Sequence, residues 1–176
     1  MSREVKQGEK VLFQCQRSGV CCNSGPNVTL TSYDICRIAK YLNVEWRQLV
    51  GKYINALVAD HIPIPFLRGD RNKCAFLVKT NRLPSCSIYP ARPMRCRLFP
   101  FIPYGPNILD KVYLSSICPG VGKGEPVNPP WDDLRKYSEE VSKHYNMLFN
   151  LIFEKGYEPI RALEEVVDTV CKESQL

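Results

Sequence analysis

Histidine is scarce, with two residues in 176, and no stretch approaches the ~20 consecutive apolar residues that a membrane-spanning helix needs. The opening residues, MSREVKQGEK, are charged and lack the apolar segment of a secretory leader. The chain is therefore expected in the cytoplasm, with no membrane span. Also missing are a phosphate-binding Walker loop, a dinucleotide fingerprint, a hydrolase triad and a paired-carboxylate constellation, so any enzymatic activity would have to rest on a metal. Internal repeats, low-complexity tracts and long linkers are absent too. The length, with 44% hydrophobic residues, fits one self-sufficient core or one domain with an extension.

Cysteine is abundant instead, with nine residues. Seven of them, Cys15, Cys21, Cys22, Cys74, Cys86, Cys96 and Cys118, fall in irregular segments rich in Pro, Gly and Arg. Thiols stay reduced in the cytoplasm, so this density and the odd count point to metal or redox chemistry rather than a disulfide scaffold. Adjacent α-carbons stand ~3.8 Å apart, closer than the roughly 4.4–6.8 Å of an unstrained disulfide, so Cys21 and Cys22 are not expected to bond to each other. Neighbouring side chains are expected to diverge, which suits two adjacent metal centres or two corners of one cluster.

The net charge of +6 is concentrated. Between Phe66 and Arg97 lie Arg68, Arg71, Lys73, Lys79, Arg82, Arg92, Arg95 and Arg97 against a single acid, Asp70. Metal-bound cysteines are deprotonated, and Arg92, Arg95 and Arg97 are placed to offset that charge. An acidic protein partner or redox complex, a solvated face and, less favoured, nucleic acid are the other readings of the same run.

Thr31 is placed to cap a helix with Asp34 at N3 and Ile35, Ile38, Ala39 and Leu42 on one face. Asn43 is read as the cap of a second helix carrying Trp46, Leu49, Val50, Tyr53, Ile54 and Leu57. Seven prolines between Asp60 and Pro106 exclude long helices there. Cys74–Val78 and Cys86–Tyr89 suggest a hairpin around Lys79–Pro84, Arg92–Pro103 reads as loop, and Val112–Ile117 as a short strand leading to Cys118. Helical periodicity returns from Trp131 to Gly156 and again from Pro159. The expected fold is mainly α, with irregular cysteine-bearing loops and a small β-hairpin. It comprises a metal-organised domain over residues 10–125 and a C-terminal helical pair over 126–176 packed on it.

The cysteine spacings match no standard motif. Paired C-x2-C knuckles, the bacterial ferredoxin run and the C-x3-C-x2-C triad are all missing. Seven thiolates exceed what one tetrahedral zinc ion uses. Of the remaining candidates, His61 in its loop is a possible zinc ligand, His144 a packing or surface histidine, Cys36 a small buried residue within possible reach of the cluster, and Cys171 structural or free. Tyr89, Phe99 and Phe101 are expected to form a dry shell.

The segments FQCQRSGVCC (Phe13–Cys22), Tyr33–Leu42, CAFL (Cys74–Leu77), CSIYPARPMRCRLFPF (Cys86–Phe101) and CPGVGKGE (Cys118–Glu125) resemble the YkgJ-like cysteine-cluster family. That resemblance covers about residues 10–125 and implies a zinc- or iron-chelating domain, a family also labelled Fe–S oxidoreductase. Many members carry a further cysteine where this chain has Ser18, which implies one metal position open to solvent or substrate. Iron–sulfur, as [4Fe-4S], is favoured over zinc because cysteine so outnumbers histidine and because backbone N–H and guanidinium groups of the Cys86–Arg97 loop are available to cluster sulfurs. The expected function is a redox or electron-transfer accessory protein. A zinc-binding structural module and a metal-delivery factor are the alternatives.

Overall fold

The computed structural model describes residues 3–23, 28–71, 73–105 and 107–173. The one-hairpin, mainly α expectation is overturned: the chain is 40% helix and 28% strand, with five small sheets and five α-helices among these residues. The prolines do exclude long helices from the middle of the chain, but the extended backbone they favour pairs into ribbons rather than remaining loop.

Strand β1 (Arg3–Lys6) pairs antiparallel with β10 (Lys111–Leu114), which pairs with β9 (Phe101–Pro103). Strand β2 (Val11–Phe13) pairs with β11 (Val121–Val127) through a bulge, the register passing from Phe13↔Val121 to Leu12↔Pro126. Gly120 permits this crossing, since a Cβ there would stand 2.3 Å from the Gln14 carbonyl oxygen. Between these sheets in sequence come three ribbons: β3 (Ile54–Ala59) with β4 (Ile62–Leu67), β5 (Gly69–Asp70) with β6 (Lys73–Cys74), and β7 (Leu77–Thr80) with β8 (Leu83–Cys86). Two-residue turns close the first and last, Asp60–His61 and Asn81–Arg82, each with both residues at positive φ as tight hairpins require. β4 tolerates two prolines because its carbonyls still accept: Leu30 N–H donates to Pro65 O at 2.8 Å.

Helix α1 (Val20–Asn23) is a single turn, and α2 (Ser32–Leu42) begins at Thr31 with a capping box closed by Asp34. Asn43 ends α2 in the left-handed conformation instead of opening another helix. The expected second helix is only a 3-10 turn, Trp46–Leu49, because Gly51 at φ +75 breaks it and Ile54 onward is drawn into β3. Its supposed core stripe is split: Trp46, Leu49 and Ile54 are buried, whereas Val50 and Leu57 are about half exposed. Arg92–Pro103, expected as loop, holds α3 (Met94–Leu98) and β9. Helix α4 (Trp131–Phe149) continues into a π turn at Asn150–Glu154, and α5 is Pro159–Glu173. No helix among the described residues is long and apolar enough to cross a membrane.

Two apolar cores result. One joins α2, the 3-10 turn, β3 and β4 to α5 and the C-terminal end of α4. The other joins β1, β2, β9, β10 and α3 to the N-terminal half of α4. A disulfide between Cys36 on α2 and Cys171 on α5 crosses the first core, with a Cα–Cα distance of 5.2 Å. Cys36 is thus buried but bonded rather than within reach of the cluster, and Cys171 is structural rather than free: the packing of α2 on α5 brings them together from 135 residues apart, a proximity with no local signature.

Candidate metal centre

Five of the seven candidate cysteines share one neighbourhood. Cys21 and Cys22 occupy α1, Cys74 ends β6, Cys86 ends β8, and Cys96 lies on α3. Their charges act on one another: Cys22 feels Cys74 and Cys86, and Cys96 feels Cys74, Cys86 and Cys21. Cys15 and Cys118 are not among the cysteines whose charges are felt in this group. They are carried by the β2–β11 crossing, where Gln14 N–H donates to Gly120 O at 3.1 Å.

Local backbone geometry holds these sulfurs. Gly19, at φ +72, seats α1 on β8, since a Cβ there would come within 2.7 Å of Pro84 Cβ. The Cys22 and Asn23 N–H groups both donate to Gly19 O at 2.9 Å, closing the turn that presents the adjacent cysteines. Cys74 Sγ accepts from the backbone N–H groups of Phe76 and Leu77, and Cys86 Sγ accepts from that of Ile88. Such N–H···S turns favour the anionic sulfur of a metal-ligating cysteine. Sequence reasoning missed them, although the repeated pattern of cysteine, small residue and apolar residue at Cys74–Phe76 and Cys86–Ile88 carries the signal. The two turns are tied together by Ser87 N–H donating to Phe76 O at 2.9 Å.

Cys21 and Cys22 do not diverge as expected from their adjacency. Their Sγ atoms stand 3.8 Å apart in a thiol–thiol hydrogen bond. Two ligands of one tetrahedral ion at a metal–sulfur distance of about 2.3 Å would be separated by roughly the same amount. The hydrogen bond from Cys22 holds the Cys21 thiol down at about 6, with the Arg92 charge contributing, and the same bond pushes Cys22 up. Burial first, then neighbouring thiolates, push up Cys74, Cys86 and Cys96. Burial thus favours the neutral thiol at Cys74, Cys86 and Cys96, and a bound cation is what would favour their anionic, ligating form. Among the described residues no group of three or more Cys, His, Asp or Glu side chains is gathered closely enough to hold a metal ion, so ligation by more than the Cys21 and Cys22 pair requires the sulfurs to draw together.

The three candidate arginines are differently employed. Arg92 stacks on Tyr89 at 3.9 Å, donates to Tyr89 O, and exerts its charge on Cys21 and Cys86. Arg95 donates to Thr29 Oγ1 at 3.1 Å and acts on Tyr137 and Tyr145. Arg97 donates to the carbonyls of Arg92 and Pro90, bracing the loop. The dry shell is not formed: Tyr89 is 60% exposed, and Phe101 belongs to the second core, edge-on to Phe13. His61 is exposed on the β3–β4 turn. His144 is buried on α4, with Nδ1 accepting from Ser32 N–H at 3.2 Å.

The residue that sequence reasoning most undervalued is Asp34. Beyond its capping role it accepts from Met94 N–H at 2.9 Å, fixing the start of α3 two residues before Cys96. Arg37 bridges Asp34 to Glu140 on α4.

Residues 14–119, more than half of the chain, match the CxxCxxCC family, described as “Putative zinc- or iron-chelating domain”. The chain belongs to this family. In it the named pattern reads Cys15-x-x-Ser18-x-x-Cys21-Cys22, with serine in the second cysteine position. The Ser18 Oγ accepts from Val20 N–H at 3.4 Å, just ahead of the paired cysteines. An uncharacterized protein of Methanocaldococcus jannaschii is 28% identical over 153 residues, which span 83% of this chain and 74% of that one. No solved structure matches. Membership supports chelation of zinc or iron as the domain's property.

Proposed function

We propose that this protein carries a thiolate-ligated metal centre built on Cys21, Cys22, Cys74, Cys86 and Cys96, with Cys15 and Cys118 as an outlying pair, and that it serves as a redox accessory protein holding an iron–sulfur centre. The observation that supports this reading is that five cysteines, with no imidazole among them, lie within electrostatic reach of one another, Cys74 and Cys86 on turns that donate backbone N–H groups to their sulfurs. Five thiols exceed the needs of one tetrahedral ion, and N–H···S bonds tune cluster potentials. When bound, an iron–sulfur group would supply one-electron transfer. Around it, Arg92 would offset thiolate charge, and Asp34 would hold Cys96 in place.

Zinc is the second reading, favoured by the 3.8 Å separation of the Cys21 and Cys22 sulfurs. That spacing suits two ligands of one ion, either zinc or one iron of a two-iron cluster. In the four-iron form expected from the sequence, each iron takes one protein thiolate, so this pair would have to sit on neighbouring corners. The deciding experiment is anaerobic purification followed by assay of iron, zinc and acid-labile sulfide, with Cys22→Ser alongside. Iron and sulfide in equal amounts, lost in Cys22→Ser, support the redox reading. Zinc without sulfide supports the structural or metal-delivery reading. Folded protein free of both metals, or metal content unchanged in Cys22→Ser and Cys21→Ser, refutes the ligand assignment.

A further inference from the structure

The basic block that seemed uniform in the sequence separates into two populations in space. Arg92, Arg95 and Arg97 spend their guanidinium groups on carbonyls, a hydroxyl and a ring. Arg71, Lys73 and Lys79 do not: among the described residues none of the three is paired with a carboxylate. All three instead line one cavity of about 540 Å³, whose apolar wall is Leu77, Val78 and Pro84, with Asn23 at its edge. Three like charges in one concavity repel, and among the described residues no carboxylate stands within ion-pair distance of any of them. Asp70, the only acid of the Phe66–Arg97 segment, pairs with Lys73 through backbone register alone.

We infer that this cavity is a binding site for a small molecule with an anionic head group, phosphate or carboxylate, on an apolar body. The cations would take the head, and the Leu77, Val78 and Pro84 wall would take the body. The volume lies within the range of small-ligand pockets. The site also abuts the candidate metal centre: Asn23 follows Cys22, Lys73 precedes Cys74, and Pro84 is the residue on which Gly19 seats α1. A ligand here would lie beside the sulfurs without needing to be one of their partners. The inference stands on cavity and charge and does not depend on which metal the thiols hold. It favours a compact ligand over an acidic protein surface because the charges are set around a concavity rather than spread on a face.

The test uses the full-length protein as purified, labelled with 15N, and phenyl phosphate as probe. Saturable amide shifts centred on Leu77, Val78, Lys79 and Asn23 are expected, with a dissociation constant of about 1 mM or tighter, the range open to a small ligand of ordinary efficiency. The double variant Lys73→Gln/Lys79→Gln should weaken binding about tenfold, because it removes two of the three charges facing the head group. Lys136→Gln/Lys143→Gln on α4 should leave it unchanged. Both variants alter exposed side chains, and their spectra report retention of the fold directly. Inorganic phosphate competing at higher concentration would mark the head group as the recognised element. Shifts that never saturate, that map elsewhere, or that persist undiminished in the Lys73/Lys79 variant would overturn the proposal. Equal binding of benzyl alcohol would remove its anionic component, and tighter binding of hexaglutamate at the same amides would reassign the cavity to an acidic polypeptide.

Discussion

Asp34→Asn tests whether the helical scaffold positions the metal loops. The carboxylate is 1% exposed, and every acceptor direction is used. Oδ2 accepts from Thr31 N–H and Thr31 Oγ1, both at 3.0 Å, and Oδ1 accepts from Arg37 Nη2 at 2.5 Å and Met94 N–H at 2.9 Å. Asparagine keeps one oxygen. If that oxygen stays on Thr31 to preserve the cap, the new amide N–H2 faces the Arg37 and Met94 donors. A charge-assisted bond is then lost, worth about 2 kcal/mol, and a buried N–H is left unpaired at about 1–3 kcal/mol. Arg37 retains Glu140 through bonds of 2.6 and 2.8 Å, which limits the damage. A net loss of about 3 kcal/mol is expected, read as the shift in urea midpoint at constant slope.

The control is Glu140→Gln, which weakens the same Arg37 pair, a contact to α2 rather than to α3. Both variants should lose stability. Only Asp34→Asn should also release metal more readily, by about tenfold in a chelator competition, because only it frees the turn that carries Cys96. Loss of less than about 1 kcal/mol in Asp34→Asn, or equal loss of metal affinity in the two variants, would refute the positioning role of Asp34.

Three further outcomes follow from named contacts. His144 is buried with Nδ1 accepting from Ser32 N–H, and burial lowers its pKa from 6.5 to about 4 despite the opposing charge of Asp34. The unfolded chain binds that proton first, so stability should be full above pH 6.5 and decline by about 3 kcal/mol as pH falls towards 4. His144→Asn should flatten the decline in urea titrations, and an unchanged slope would count against it. Gly19→Ala should cost about 1–2 kcal/mol in strain and lower metal content by pushing α1 off Pro84, whereas Gly8→Ala, at φ +91 with open space around it, should cost strain alone. Equal metal content in the two variants would eliminate the close approach as a cause. Cys171→Ser should lose about 2–4 kcal/mol under oxidising conditions with metal retained, and should match the parent once reductant is added. A difference that survives reduction would point to packing instead.

What could be read from the sequence was what local chemistry decides. Thr31 and Asp34 announce a capping box within four residues, and α2 forms where they predict it. The apolar periods beginning at Trp131 and Pro159 likewise yield α4 and α5. The failure at Trp46–Leu57 is equally physical: Val50, Tyr53, Ile54 and Leu57 fit a helical spacing and not the alternation of a strand, yet a left-handed Gly51 and pairing to β4, neither visible in that spacing, draw Ile54 onward into β3. Strand pairings such as Val5↔Val112 join segments over a hundred residues apart, and no window along the chain records them.

That non-local character bears on how the sulfurs come together. Cys21 and Cys22 reach their place because Gly19 fits against Pro84, Cys86 because β8 is held in register with β7, Cys74 because β6 precedes that same ribbon, and Cys96 because Asp34 holds the start of α3. Each constraint involves a residue that is not itself a sulfur ligand, and each acts on one sulfur element. Loss of any one should therefore displace one corner of the proposed centre while leaving the two apolar cores assembled. Cysteine replacements alone cannot reveal this division, because they remove the ligand and its placement together. Substitutions at Gly19 and Asp34 leave every thiol present and change only where one of them stands, so they separate a centre that the fold prepares from one that the metal must assemble.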